Sequence, residues 1–137
     1  MIERISFGQT TTEPKGWGAE VIIVNNCVQK GEDFPTGYSG KLLVYDNVGA
    51  KSSLHYHTVK HETFIVLIGS FKITYFNPDT AECFEKVIER GDVVHIPPHN
   101  PHQLESLEEK STIIEFASAD HHWDNYRIGA GDSQKQV

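Results

Sequence analysis

Gly49-Ala-Lys-Ser-Ser-Leu-His55-Tyr-His57-Thr-Val-Lys-His61-Glu62 is the stretch on which the reading of this chain turns. His55 and His57 are separated by one residue in a strand-like run. Side chains alternate along a strand, so the two imidazoles point to one side. A carboxylate, Glu62, opens the next strand-like run, Glu62-Thr-Phe-Ile-Val-Leu-Ile68. A further imidazole, His102, closes Gly91-Asp-Val-Val-His-Ile-Pro-Pro-His-Asn-Pro-His102. Three imidazoles and one carboxylate suit a divalent transition metal.

Outward from this stretch the strand pattern continues. Runs fall at 41–46, 53–57, 62–68, 71–76, 82–88, 93–96, 102–106 and 111–117. Gly69-Ser70 fits a two-residue hairpin turn, and Asn77-Pro78-Asp79-Thr80 is a loop signal. Upstream, residues 1–20 read as a short strand and a turn around Pro14 and Gly16-Trp-Gly18, Val21 to Val24 is a β-branched run, and Asn25 to Gly40 reads mostly as loop. From Gly129 to Val137 the composition predicts a loosely ordered tail. Many short strands with turns between them predict an all-β sandwich or barrel. We find no internal repeat and no long amphipathic helix.

The chain has 137 residues, 38% of them hydrophobic and 23% charged. That predicts one domain, 1–137, with a core at about 40–118. The net charge of -7 and the scattered Lys and Arg argue against nucleic acid or an anionic membrane as partner. No run is long enough to span a bilayer, and the start of the chain lacks an apolar signal region, so a cytoplasmic location is expected. Cys27 and Cys83 are too few for a disulfide framework.

The motifs resemble those of the cupin superfamily. Its first motif, G-x5-H-x-H-x4-E-x6-G, is met in full by Gly49, His55, His57, Glu62 and Gly69. Its second, G-x5-P-x-G-x2-H-x3-N, is met by Gly91, Pro97 and His102, with His99 in place of glycine and Ser106 in place of asparagine. Glycine tolerates positive φ and histidine does so less readily, so His99 bears on the turn before His102. The resemblance implies a double-stranded β-helix, a cupin jelly-roll barrel. It also implies that His55, His57, Glu62 and His102 hold one divalent ion (Mn, Fe, Co, Ni, Cu or Zn). From the residues alone, a hairpin would return Glu62 beside the histidines.

A narrower resemblance is to small sugar-isomerase cupins, the D-lyxose isomerase type and the cupin domain of type II mannose-6-phosphate isomerases. It rests on Ser53-Leu-His-Tyr-His-Thr-Val-Lys-His-Glu-Thr-Phe64, Gly91-Asp-Val-Val-His-Ile-Pro-Pro98, and Asp124-Asn-Tyr-Arg-Ile128 with Gly131-Asp132. It implies a sugar or sugar phosphate as small-molecule substrate. The metal would polarise a carbonyl while a side chain moves a proton through an enediol. A dioxygenase and a non-catalytic sugar-binding module are the competing functions.

Candidates for the acid or base lie on faces that should point inward. Glu62, Phe64, Val66 and Ile68 share one such face, Lys41, Leu43 and Tyr45 another, and Ile113 and Glu115 a third. Glu115 breaks an apolar run, and reads either as a buried functional carboxylate or as an outward, solvated one. Lys41 reads as catalytic or as an edge-strand charge that discourages aggregation. His95 reads as a base or as a hydrogen-bonded structural histidine. His61 should be exposed. His121-His122-Trp123 reads as a loop with Trp123 covering apolar surface. Arg127 fits a phosphate by its fork geometry, or pairs with one of the acids. A homodimer is expected, a second copy covering an open sheet edge.

Overall fold

The computed structural model describes residues 10–26 and 37–135. Eleven strands occupy these residues: β1 (Thr11–Lys15), β2 (Gly18–Asn26), β3 (Tyr38–Tyr45), β4 (Leu54–Tyr56), β5 (Glu62–Ile68), β6 (Ser70–Phe76), β7 (Cys83–Glu89), β8 (Val93–Ile96), β9 (His102–Ser106), β10 (Ser111–Ser118) and β11 (Tyr126–Gly129). They form two antiparallel sheets, one in the order β1-β2-β3-β10-β5-β8 and the other β11-β4-β9-β6-β7. From β3 onward the chain changes sheet at every connection except the β6–β7 hairpin. That alternation is what winds two sheets into a jelly-roll barrel, as the sequence predicted. No described helix is long and apolar enough to cross a membrane.

Side chains from both sheets meet in one core. Phe71 and Ile113 are fully buried, and Tyr45, Val66 and Leu104 nearly so. The Tyr45 ring stacks on Trp17 at 4.3 Å and meets Phe71 edge-on at 5.1 Å. Each large apolar side chain buried in this way contributes roughly 1.5–3 kcal/mol.

Two local expectations are corrected. Gly69-Ser70 is not a hairpin: β5 and β6 lie in different sheets and do not pair. Gly69 is a corner, with φ +73, and a Cβ there would lie 2.2 Å from Ser111 Oγ. Turn chemistry is the same for a hairpin and a corner; the distant partner strand decides between them. Ile68, expected inside, lies just before this corner and is 53% exposed.

The ends of the barrel also differ from expectation. Pro14 lies within β1, an edge strand, where its missing N–H costs no ladder bond. β2 outruns the β-branched segment and pairs Asn25 with Ser39 and Asn26 with Tyr38. Residues 27–36 of the expected loop, the first nine residues and the last two lie outside the described residues. The tail from Gly129 to Lys135 is held rather than loose. Asp132 Oδ2 accepts Lys51 N–H at 2.8 Å, Asp132 N–H donates to the Lys51 carbonyl at 2.9 Å, and Ser133 Oγ accepts Gly16 N–H at 2.9 Å.

Candidate metal centre

β4 and β9 are neighbours in the five-stranded sheet, with His55 opposite His102. Directly opposed residues of an antiparallel pair share a face. His57 follows two residues after His55 and keeps that face. The three imidazoles therefore crowd together, and their ligand atoms lie within 4.8 Å of one another. His57 and His102 are buried, and His55 is half-buried.

Glu62 reaches them from the other side of the barrel. β4 belongs to one sheet and β5 to the other, so residues 57–61 form a crossing and not the expected hairpin. Glu62 is 4% exposed, with Oε2 3.0 Å from His102 Nε2 and Oε1 3.3 Å from His57 Nε2.

Backbone carbonyls set the imidazole tautomers. His55 Nδ1 lies 2.9 Å from the Ser53 carbonyl, His102 Nδ1 lies 2.9 Å from the Asn100 carbonyl, and His57 Nδ1 meets the Asp124 carbonyl. A carbonyl only accepts, so each Nδ1 carries the proton and each Nε2 presents a lone pair. His57 Nε2, His102 Nε2 and Glu62 Oε2 are buried with no hydrogen-bond partner among the described residues. Acceptors facing acceptors at 3 Å repel unless a cation or a proton lies between them. Ligand atoms ~2.1 Å from one ion and at right angles to each other lie ~3 Å apart. The donor set thus fits a divalent metal. Burial, and then His102, pushes the His55 imidazolium down to about 3, leaving the ring neutral and free to ligate.

Behind Glu62 lies a buried network of charges. Lys60, 4% exposed, places Nζ 2.8 Å from Glu62 Oε1, 3.2 Å from Glu115 Oε1 and 3.5 Å from Asp120 Oδ1. Lys41 contacts Asp120 and lies 2.6 Å from Glu20 Oε1. Burial lifts the Glu115 carboxyl to about 8, opposed by Lys60 and reinforced by Glu62. Burial works against the Lys60 ammonium, but Glu115, Glu62 and Asp120 outweigh it and hold its pKa well above the ordinary value.

Glu115 is therefore buried in the site, not solvated. Lys41 is not an edge charge: β3 is interior to its sheet, and Lys41 lies opposite Glu115 and is 5% exposed. His95 is not brought to this centre. It is exposed on β8, within 2.9 Å of Thr63 Oγ1, and lines a second cleft of about 520 Å³ with Tyr75 and Ile88, which His102 also borders. The inward residues of β8 are Val94 and Ile96 instead. His61 is exposed, as expected.

Sequence reasoning gave no role to Lys60, Asp120 or Asp124. Asp124 is 1% exposed and organises the 57–61 crossing. Its Oδ1 accepts Thr58 N–H at 2.6 Å and Thr58 Oγ1–H at 2.7 Å, and its Oδ2 accepts Val59 N–H at 3.1 Å and Lys60 N–H at 2.9 Å. The one signal for Lys60 was its place two residues before the candidate ligand Glu62.

The site opens into a cavity of about 410 Å³ whose wall includes the metal-site residues, Lys41, Glu115 and Asp120. His121, His122 and Arg127 also line it. Trp123 follows in the same segment. It is 51% exposed and stacks on His121 at 5.1 Å.

Comparison with known proteins places this architecture. An uncharacterized protein, MJ1618, of Methanocaldococcus jannaschii is 37% identical over 60 residues, 44% of this chain and 43% of the relative. The capsular polysaccharide assembling protein CapF of Staphylococcus aureus shares the fold at a TM-score of 0.72, with 18% identity over 88% of this chain and 33% of CapF. Oxalate decarboxylase of Bacillus subtilis, a protein with Mn(II) centres, shares it at 0.74, with 18% identity over 90% of this chain and 31% of the enzyme. This chain thus spans less than half the length of MJ1618 and about a third of the two structural neighbours. The family model described as "Cupin domain" matches residues 42–116, more than half of the sequence and the part that carries every candidate metal ligand. The chain belongs to the cupin family.

Proposed function

We propose that this chain is a divalent-metal-dependent isomerase of a sugar or sugar phosphate, interconverting aldose and ketose. The observation that carries the reading is the juxtaposition of two things in one cavity. Unpartnered acceptors of His57, His102 and Glu62 converge, and the buried Glu115–Lys60 pair lies directly against Glu62. One structural neighbour, CapF, is named for capsular polysaccharide assembly, which supports a carbohydrate setting by analogy of fold.

His55, His57, His102 and Glu62 would hold the ion. When bound, it supplies Lewis-acid polarisation of a carbonyl oxygen. Aldose–ketose conversion needs a proton taken from one carbon and returned to its neighbour, with no net oxidation. Glu115 is the group suited to that transfer. It is a buried carboxyl whose affinity for protons is matched to neutral pH. Lys60 orients it and keeps a positive charge beside the oxygens on which negative charge develops. Lys41 acts one step further out, fixing Asp120 and Glu20.

The test is a screen of protein loaded with Mn(II), Zn(II) or Fe(II) against aldoses, ketoses and their phosphates, read by product identity. Aldose-to-ketose turnover is the expected result. Oxygen consumption with Fe(II) alone, or sugar binding without turnover, would overturn it.

The homodimer belongs to this proposal as well. β7 and β8 are sheet edges that expose Val87 (65%) and Val93 (52%), and a second copy would cover them. Light scattering at micromolar concentration should give twice the chain mass; a monomer alone contradicts it.

A further inference from the structure

We infer that the mouth of the metal cavity is an anion subsite, with Arg127 as its charged anchor, so that the substrate carries a phosphate or carboxylate as well as metal-binding oxygens. The inference rests on the proposed function for the second half of that ligand, and on this structure for the first.

Arg127 lies on β11 directly opposite His55 on β4. Opposed side chains share a face, and their Cα atoms are ~5 Å apart. The guanidinium therefore rises beside a metal-site imidazole and lines the same cavity. It makes no ion pair among the described residues. Five carboxylates that line this cavity (Glu13, Glu20, Glu62, Glu115 and Asp120) are within salt-bridge distance of a lysine or a metal-site histidine instead. Arg127 is exposed, so its guanidinium is open to a ligand entering the cavity from solvent. The cavity wall supplies a second vacant contact. His121 lines the cavity, and its Nε2 is buried without a hydrogen-bond partner among the described residues.

Chemistry narrows the ligand. A guanidinium presents parallel N–H donors matched to two oxygens of a phosphate or carboxylate. One small molecule can then span both positions, its hydroxyl or carbonyl oxygens toward the three histidines and its anionic end toward Arg127. The acid expected from sequence as the partner of Arg127 is, on this view, the substrate's own.

Calorimetric titration of the metal-loaded protein with an aldose, its phosphate ester and its uronic acid tests the subsite, with inorganic phosphate titrated alone. We expect both anionic ligands to bind at least tenfold more tightly than the neutral sugar, with the difference shrinking as salt is added. Arg127→Ala should abolish the preference, and Arg127→Lys should restore part of it, with metal content unchanged in both. The phosphate and uronate arms tell which anion is preferred. Equal affinity for neutral and anionic ligands, or an undiminished preference in Arg127→Ala, overturns the subsite. The two proposals fail separately. Anion preference without turnover removes the isomerase and keeps the subsite. Turnover of neutral and phosphorylated sugars alike, indifferent to Arg127→Ala, does the reverse.

Discussion

Asp124 is joined to His57 through its backbone carbonyl, which receives the Nδ1 proton, while its carboxylate gathers the backbone N–H groups of the three residues that follow His57. One buried residue thus orients an imidazole and shapes the crossing that delivers Glu62. Asp124→Ala frees that crossing and leaves its N–H groups short of an acceptor. It should cost ~10–100-fold in metal affinity and lower Tm, with the β-sheet circular dichroism kept. Competition against a chelator measures the first quantity. Unchanged affinity would show that the crossing holds its shape without Asp124.

His99 adopts φ +66 at the position where the family motif has glycine, and its N–H donates to the His57 carbonyl at 2.6 Å. A left-handed non-glycine residue costs ~1–3 kcal/mol, offset in part by the greater freedom of glycine in the unfolded chain. His99→Gly should therefore raise stability by about 1 kcal/mol in urea unfolding, and His99→Val should lower it. A less stable glycine variant would mean that the exposed ring makes contacts worth more than the backbone strain.

Glu115→Gln keeps the shape of the side chain and removes its ionisation. Turnover in the aldose–ketose assay should fall by ~10²–10⁴-fold, with metal content as in the parent. Retained turnover would assign the proton transfer to another group.

Asp132 pins the C-terminal segment. Burial disfavours its charge, but Lys135 and the Lys51 N–H outweigh this and hold its pKa below the ordinary value. A carboxyl depressed in the folded state stabilises fully above its unfolded pKa of ~3.9, and the contribution fades as pH falls through the lower folded value. Asp132→Asn should lower Tm at pH 7, and the gap should narrow below about pH 4. A gap that stays constant down to pH 2 would show that charge plays no part.

The shared face of His55 and His57, with Glu62 close behind, was legible because it rests on short-range spacing. The His55–His57 pair and the distance to Glu62 survive whatever the rest of the chain does. The route of Glu62 was not legible. A hairpin and a sheet crossing share local turn chemistry, and strands far away in sequence, β8 and β10, claim β5. The buried charges were hidden for a related reason. Lys41 and Lys60 look like solvated lysines until carboxylates from β2, β10 and the segment after β10 close around them. His95 failed for want of an outward signal: along β8, Val93 is exposed and Val94 turns inward, the opposite of what the Val93–His95 face suggested. In the second motif, Ser106 stands where the family has asparagine, and its hydroxyl is buried. It donates to the Asn47 carbonyl, while its N–H reaches the Ala50 carbonyl at 2.9 Å.

The most direct measurement is elemental analysis of the purified protein and of His57→Ala after saturation with Mn(II) or Zn(II) and desalting. One ion per chain in the parent and none in the variant, with both folded, is the expected pair of values. A parent that retains no metal, or a variant that retains as much as the parent, would contradict the site.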